Sequence, residues 1–225
     1  MSVVEGGPAT SNLVQRVQNI LLKPAAEWEV IAGESATPQS LFTSYACILA
    51  AIPAIAHMIG GFIPFCIFGV CVHYNPIFVI VGAVVNYFLS LVGVYVIGLV
   101  IDALAPSFGG EKNPIQSMKV AVYSFTAAWL AGVFAILPAL APLTIVGLYS
   151  FYLLYVGLPI LTKAPKDKAL GYTAVAIVCG ILVFIVAGAV SGAVTNIGAG
   201  PRALSVGSAG STIEPAAMVG TLARS

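Results

Sequence analysis

The segment IFVIVGAVVNYFLSLVGVYVIGLVIDAL, residues 77–104, decides the fold class of this chain. Only one of its residues, Asp102, carries a charge, and the run is longer than the about 20 apolar residues that a membrane-spanning helix needs. In lipid, backbone N–H and C=O groups find no water and must bond within the segment, which selects an α-helix. We therefore predict an all-α protein that crosses a membrane.

The composition of the whole chain indicates a polytopic membrane protein. Hydrophobic residues make up 60% of the 225 residues and charged residues only 8%, whereas about a quarter of the residues of a soluble domain are charged. The net charge is +1, and the nine Lys and Arg residues form no basic stripe. The composition therefore excludes a nucleic-acid partner and predicts contact with the lipid bilayer.

Five segments are apolar and long enough to span the bilayer. They lie near 39–63, 77–104, 116–138, 142–162 and 172–193, and together they form a membrane domain over 38–193. Three of them begin after a capping residue and a proline, at Thr37-Pro38, Asn75-Pro76 and Asn113-Pro114. The capping side chain accepts an N–H that the first turn leaves unbonded, and proline has no N–H to leave unbonded. These pairs predict where the spans begin.

Two segments flank the membrane domain. Residues 1–37 form a cytoplasmic segment with an amphipathic helix over 12–23, and Trp28, an interfacial residue type, follows that helix. We expect this helix to lie along the membrane interface; packing beneath the bundle is the alternative. Residues 194–225 are rich in Gly, Ala and Ser and are predicted to form a flexible non-cytoplasmic tail.

The positive charges predict the orientation of the chain. If the N-terminus is cytoplasmic, the cytoplasmic segments hold seven Lys and Arg residues: Arg16, Lys23, Lys112, Lys119, Lys163, Lys166 and Lys168. The opposite side holds only Arg202 and Arg224, both in the tail. Cytoplasmic loops of membrane proteins carry an excess of Lys and Arg. We therefore predict a cytoplasmic N-terminus and a C-terminus on the other side.

Two charged residues within the predicted spans are candidates for an ion pair. Asp102 lies near the cytoplasmic end of the second span, and Lys119 lies near the cytoplasmic start of the third. The two helices are antiparallel neighbours, so the groups lie at similar depth, and pairing lowers the cost of burying each charge. The alternative is that each side chain reaches the headgroups separately.

No sequence motif of catalysis is present. The chain has no HExxH, GxSxG, Walker A or GxGxxG pattern, and it has only two His residues. Acid–base chemistry within the membrane needs two titratable groups within reach. Only Asp102 with Lys119 offers such a pair, and a structural ion pair is the simpler interpretation. We predict no enzymatic activity, no catalytic residue and no cofactor.

The loop PFCIFGVCVHYNP, residues 64–76, holds Cys66, Cys71 and His73. Their spacing fits no well-known zinc pattern, and we predict no metal site. Two alternatives remain for the cysteines: they are unpaired, or they form a disulfide, since the loop is predicted to face outside.

Several polar and small residues lie within the predicted spans. Gly82, Asn86 and Ser90 are four residues apart and share one helix face, and Gly188 and Gly192 form a GxxxG-type pair. Small residues let helices approach closely, and Asn or Ser bonds across such a contact. One interpretation is therefore helix packing. The other is a small polar cavity, lined by Asn86, Ser90, Ser124, Tyr149 and Tyr152.

Five stretches of the chain occur in a recognisable order. They are LLKPAAEWEVIAGE (21–34), IPAIAHMIGGFI (52–63), DALAPSFGG (102–110), KVAVYSFTAAWLAGVFAILP (119–138) and LYSFYLLYVGLPILTKAPKDKALGYT (148–173). Together they resemble the Yip domain family, in particular its bacterial branch. The resemblance implies a five-span bundle with a cytoplasmic N-terminus. The positions that match the family are expected to be structural rather than catalytic: Asp102, Pro106, Gly109, Gly110, Tyr149, Tyr152, Tyr155, Gly157 and Pro159.

The resemblance also implies a location and excludes one kind of partner. Eukaryotic members act in vesicle traffic with small GTPases, and a bacterial member is not expected to bind one. A bacterial member belongs in the cytoplasmic (inner) membrane, and a eukaryotic one in the endoplasmic reticulum or Golgi membrane.

We consider two hypotheses for the function. The first is a non-enzymatic scaffold, adaptor or accessory subunit that packs against other membrane proteins or against a second copy. Small-residue helix faces and the absence of catalytic motifs favour it. The alternative is a small transporter, channel or lipid-handling protein that uses polar residues at membrane depth.

The predicted orientation can be tested with an epitope tag inserted into the loop 163–171. The tag is expected to be accessible only from the cytoplasmic side, because Lys163, Lys166 and Lys168 favour retention of this loop there. Antibody labelling of sealed, right-side-out membrane vesicles measures this, with a C-terminal tag as the control that is expected to be labelled from outside. Labelling of the 163–171 tag from outside would contradict the predicted orientation.

Overall fold

The computed structural model describes the backbone of residues 9–63, 65–67, 70–72 and 75–197. Five helices in these ranges are long and apolar enough to cross a membrane. In chain order, the helices are α1 (Ala9–Leu22), α2 (Pro24–Gly33), α3 (Pro38–Phe62), α4 (Pro76–Phe108), α5 (Pro114–Ile136), α6 (Pro142–Thr162) and α7 (Lys166–Ile197). The predicted all-α fold with five spans is confirmed.

A short β-hairpin connects α3 to α4. Its strands, β1 (Phe65–Ile67) and β2 (Val70–Val72), are antiparallel, and Cys66 lies opposite Cys71 in the register. The side chains of both cysteines lie outside the described residues, and so does the tail from residue 198 onward. The cysteine alternatives and the flexible tail therefore stay predictions.

The predicted helix starts are confirmed by their capping bonds. The side chains of Thr37, Asn75 and Asn113 each accept a backbone N–H from the first turn of α3, α4 and α5. In each case proline follows directly and occupies the first helical position. The start of α6 is different, because its first residues, up to Leu148, belong to a 3-10 helix that begins at Pro138 without a side-chain cap.

The third span, α5, lies at the centre of the bundle. In its most apolar window 56% of the residues are buried, against 17% for α7. It packs against α3, α4 and α6, and at Gly132 it approaches α3 so closely that a Cβ would lie 2.5 Å from Pro53 Cβ. Polar groups in lipid are costly. The span surrounded by protein is accordingly the one that carries more buried polar side chains than any other described helix.

The N-terminal helices α1 and α2 pack onto the bundle. Trp28 of α2 is 0% exposed and lies against Gly157 of α6, and Ile20 and Ile31 are equally buried. The contacts therefore match the packed alternative for this segment. The helix predicted over 12–23 is followed directly by α2, which was not predicted, because Pro24 begins a second helix rather than a loop. The position of both helices relative to the headgroups stays a prediction.

The contact between Trp28 and Gly157 makes a prediction for the Gly157→Ala variant. A Cβ on Gly157 would lie 2.7 Å from the Trp28 ring, so we expect the indole to be displaced and the bundle to lose about 1–3 kcal/mol of stability. Unfolding in mixed detergent micelles measures the loss, and tryptophan fluorescence follows the displacement.

The matched control is Gly188→Ala in α7, where a Cβ meets nothing within 4 Å. That change is expected to leave the bundle as stable as the parent or more stable by up to about 1 kcal/mol, since Ala favours a helix over Gly. Equal stability of the two variants would contradict the close approach at Gly157.

Candidate functional site

Asp102 and Lys119 do not form the predicted ion pair. The Ser117 hydroxyl donates to the Asp102 carboxylate at 3.4 Å, while Lys119 Nζ donates to the carbonyl oxygens of Ile31 at 2.8 Å and Glu34 at 2.5 Å. Ser117 and Lys119 are two residues apart on α5, which is about 200° around the helix axis. With Ser117 facing α4, Lys119 therefore faces α2.

Lys119 instead closes the C-terminal end of α2. Its side chain is 1% exposed, and it bonds carbonyls at a helix end, where the last carbonyls lack partners within the helix and the helix dipole favours a cation. The structure therefore does not show the alternative in which the Lys119 side chain reaches the headgroups. Lys119 ties the third span to the N-terminal segment.

Arg16 of α1 forms a second polar contact within the N-terminal segment. Its guanidinium bonds Glu27 at 2.7 Å and also bonds Glu34. Burial lowers the pKa of Arg16, but the hydrogen bond and the charge of Glu34 more than offset this, so the pKa lies above its usual value. The guanidinium is therefore charged throughout the physiological range and holds α1 to α2.

The stretch DALAPSFGG, 102–110, forms a turn that requires its glycines. Gly109 has a φ of +76°, in the left-handed region that favours glycine. A Cβ on Gly110 would lie 2.8 Å from the carbonyl oxygen of Thr162, and the N–H of Glu111 donates to the same oxygen at 2.7 Å. The turn thus fastens the α4–α5 loop to the end of α6, which agrees with the structural role that the resemblance implies.

A cavity of about 450 Å³ lies among α4, α5, α6 and α7, close to the middle of each span. Its walls are formed mainly by apolar side chains: Ile97, Phe125, Trp129, Phe151, Leu154 and Phe184. Its volume falls in the range of about 300–1,000 Å³ that is typical of small-molecule sites. No residue of its lining is titratable, so the described wall is suited to binding an apolar molecule and not to proton transfer.

Three serines bring hydroxyl groups to the wall of this cavity. Ser90 Oγ accepts a bond from Trp129 Nε1 at 3.3 Å, and Ser150 Oγ accepts one from the backbone N–H of Ala128 at 2.9 Å. The third, Ser124, is 1% exposed, and its Oγ has no hydrogen-bond partner among the described residues. The wall therefore contains one unsatisfied polar group.

The structure divides the residues that were predicted to line a polar cavity. Ser90 and Ser124 lie in the wall, whereas Asn86, Tyr149 and Tyr152 do not. Tyr149 donates to the carbonyl oxygen of Leu21 at 3.0 Å, Tyr152 packs against the Tyr149 ring at a centroid distance of 5.3 Å, and Asn86 is partly buried elsewhere on α4. Tyr149 thus serves the docking of α1, and the wall of the cavity is mainly apolar.

The glycines predicted to mediate helix packing also differ from one another. Gly82 is buried within α4. By contrast, a Cβ added to Gly188 or Gly192 meets nothing within 4 Å, so this pair makes no close helix approach within the described residues.

Sequence reasoning missed Trp129 and Ser150. A signal for Ser150 was present, since Gly147, Ser150 and Leu154 follow the i, i+3, i+7 spacing of one helix face. Which neighbouring helix that face meets depends on the tertiary arrangement, and so does the bond from Trp129 to Ser90.

The partners of Asp102 and Lys119 predict the outcome of a double-mutant cycle. Lys119→Met removes a charged donor from two carbonyls and is expected to cost about 2 kcal/mol. Because Asp102 and Lys119 share no partner, Asp102→Asn should add to it with a coupling below about 0.5 kcal/mol. Unfolding of the two single variants and the double variant in mixed micelles measures the coupling.

Lys112→Met, at an exposed lysine, is the control for loss of a positive charge and is expected to change stability by less than about 0.5 kcal/mol. A coupling well above about 1 kcal/mol between Asp102 and Lys119 would show that the two residues interact as an ion pair and would contradict the partners described here.

Comparisons with known proteins agree with the motifs in the chain. The family model of the Yip1 domain matches residues 19–187. The inner membrane protein YohC of Escherichia coli (strain K12) is 28% identical over 176 residues, which cover 76% of this chain and 90% of that protein. YohC of Escherichia coli O6:H1 matches to the same extent. No solved structure matches the chain.

The family match covers the end of α1, all of α2, the spans α3 to α6 completely and α7 up to residue 187. It includes the glycine turn at 102–110, the Trp28 contact at Gly157 and the wall of the cavity. The chain therefore belongs to the Yip1 domain family.

Proposed function

We propose that this protein is a non-enzymatic lipid-handling membrane protein that takes up an apolar molecule from the bilayer. The observation that carries the proposal is the cavity of about 450 Å³ among α4, α5, α6 and α7. Its lining residues lie close to the middle of four spans, a position at which hydrocarbon would surround the bundle. We therefore propose that a molecule enters it from the membrane.

The character of the walls favours handling over conduction or catalysis. An ion path needs rings of carbonyls or charged side chains, and general acid–base catalysis needs a titratable group within reach of the substrate. The described wall offers aromatic and aliphatic side chains with three serine hydroxyls. Of the transporter, channel and lipid-handling functions considered from the sequence, lipid handling is thus the best supported.

We place the protein in the inner membrane of a bacterium, as a multi-pass protein with a cytoplasmic N-terminus. The inner-membrane location is supported by the name of the YohC relative, an inner membrane protein. The cytoplasmic N-terminus is supported by the excess of Lys and Arg in the N-terminal segment and in the loops after α4 and α6.

A scaffold or adaptor function is the second candidate. The observation that favours it is the low burial of α7, whose outer half exposes Ile185, Val186 and Val190. Another span packed there would bury this face, and Gly188 leaves room for a close approach.

The cavity proposal is tested with Trp129, which lines the cavity and is 3% exposed. Trp28→Phe leaves Trp129 as the only tryptophan of the chain. In vesicles of phosphatidylcholine with brominated acyl chains, we expect its fluorescence to be strongly quenched, because bromine quenches tryptophan on close contact and chains reach this residue through the cavity. Adding Gly180→Leu, whose side chain extends into the cavity, is expected to remove most of the quenching.

Gly188→Leu, on the same helix and away from the cavity, is the matched control and should keep the quenching of the Trp28→Phe parent. Equal quenching in the Gly180→Leu and Gly188→Leu variants would refute entry into the cavity. If the protein, solubilised in a mild detergent, purifies only in a fixed ratio with a second protein, the adaptor function is favoured instead.

A further inference from the structure

The hydroxyl of Ser124 distinguishes this cavity from a purely apolar one. Ser124 lies near the middle of α5, in the cavity wall. Its Oγ is buried and has no hydrogen-bond partner in the described part of the chain. A buried polar group without a partner is destabilising. A bound molecule that supplies the missing partner recovers this free energy.

The other hydroxyls of the wall already have partners. Ser90 accepts from the Trp129 indole, and Ser150 accepts from the Ala128 backbone N–H. Both bonds join helices of the bundle, and each uses one lone pair of the serine oxygen. Ser124 is the hydroxyl of the described wall that makes no bond at all, and a serine hydroxyl donates and accepts.

The charge of the wall limits what the ligand carries. None of the described lining residues is titratable, so a charged headgroup would be buried here without an ionic partner from the wall, which is strongly unfavourable. A plain hydrocarbon would fill the volume but would leave the Ser124 hydroxyl unbonded. A neutral molecule with one hydrogen-bonding oxygen among apolar groups matches both properties.

We infer that the cavity selects uncharged lipid-soluble molecules that carry a carbonyl or hydroxyl oxygen, and that Ser124 Oγ bonds this oxygen. The inference rests on the proposed function and adds the chemical class of the ligand. Ser124 is thereby a specificity-determining residue. The hydroxyl donates to a carbonyl oxygen, and it donates to or accepts from a hydroxyl.

Two probes of equal chain length test the selectivity. Dihexyl ketone and tridecane differ by one carbonyl oxygen in the middle of the chain. In detergent micelles that contain the Trp28→Phe protein and bromododecane as quencher, each probe is titrated until Trp129 fluorescence recovers by half. An interhelical hydrogen bond in a membrane contributes up to about 1–2 kcal/mol, so we expect the ketone to act at a concentration about tenfold lower than tridecane.

The Ser124→Ala variant separates the hydrogen bond from cavity volume. In this variant the ketone and tridecane are expected to act at similar concentrations, whereas Ser124→Thr, which keeps the hydroxyl, retains the preference. Ser44→Ala, at an exposed serine of α3, is the control and should preserve the tenfold ratio. Without any probe, Ser124→Ala is expected to melt at the same temperature as the parent or higher, since it removes an unsatisfied hydroxyl.

The outcomes separate the two proposals. If neither probe restores fluorescence, both the cavity function and the selectivity fail. If ketone and tridecane act equally in the parent, the cavity function stands and the selectivity is refuted. If Ser124→Ala lowers the melting temperature without probe, Ser124 has a partner within the protein, which also refutes the selectivity.

Discussion

The structure depends on the inability of lipid to bond polar groups. A buried polar side chain of a span must be surrounded by protein, and among the described residues α5 carries more of them than any other span: Ser117, Lys119, Ser124 and Thr126. This constraint places α5 at the centre of the bundle, although its apolar window has the lowest mean hydropathy of the five. The more hydrophobic spans α4 and α7 can face lipid over much of their length because their exposed side chains are apolar.

The same constraint explains why the N-terminal helices belong to the bundle. A lysine within a span needs oxygen atoms around its ammonium group, and Lys119 finds them at the C-terminal end of α2. Trp28 on Gly157 and Tyr149 on the Leu21 carbonyl complete the attachment. Positions that match the family pattern thus serve to join this segment to the membrane domain.

The cavity lies where α5 departs from regular helix. The helix is interrupted at Phe125, between Pro114–Ser124 and Thr126–Ala131, and Ser150 of α6 accepts the Ala128 N–H beside the interruption. The 3-10 turns that follow displace the backbone further from an α-helical path. Apolar side chains from four spans line the cavity beside this interruption.

The sequence by itself determined the number of spans, their starts and the all-α class, because apolar length and cap–proline pairs are local properties. It also identified Ser90, Ser124, Asp102 and Lys119 as polar groups inside the membrane. Only the tertiary structure decided their partners, since these depend on how each helix is rotated about its axis. Ser117 and Lys119 are two positions apart on α5 and therefore lie on nearly opposite faces, so Ser117 bonds Asp102 and Lys119 bonds the end of α2. The packing of four spans then placed Ser124 in the wall of the cavity and left Asn86 outside that wall.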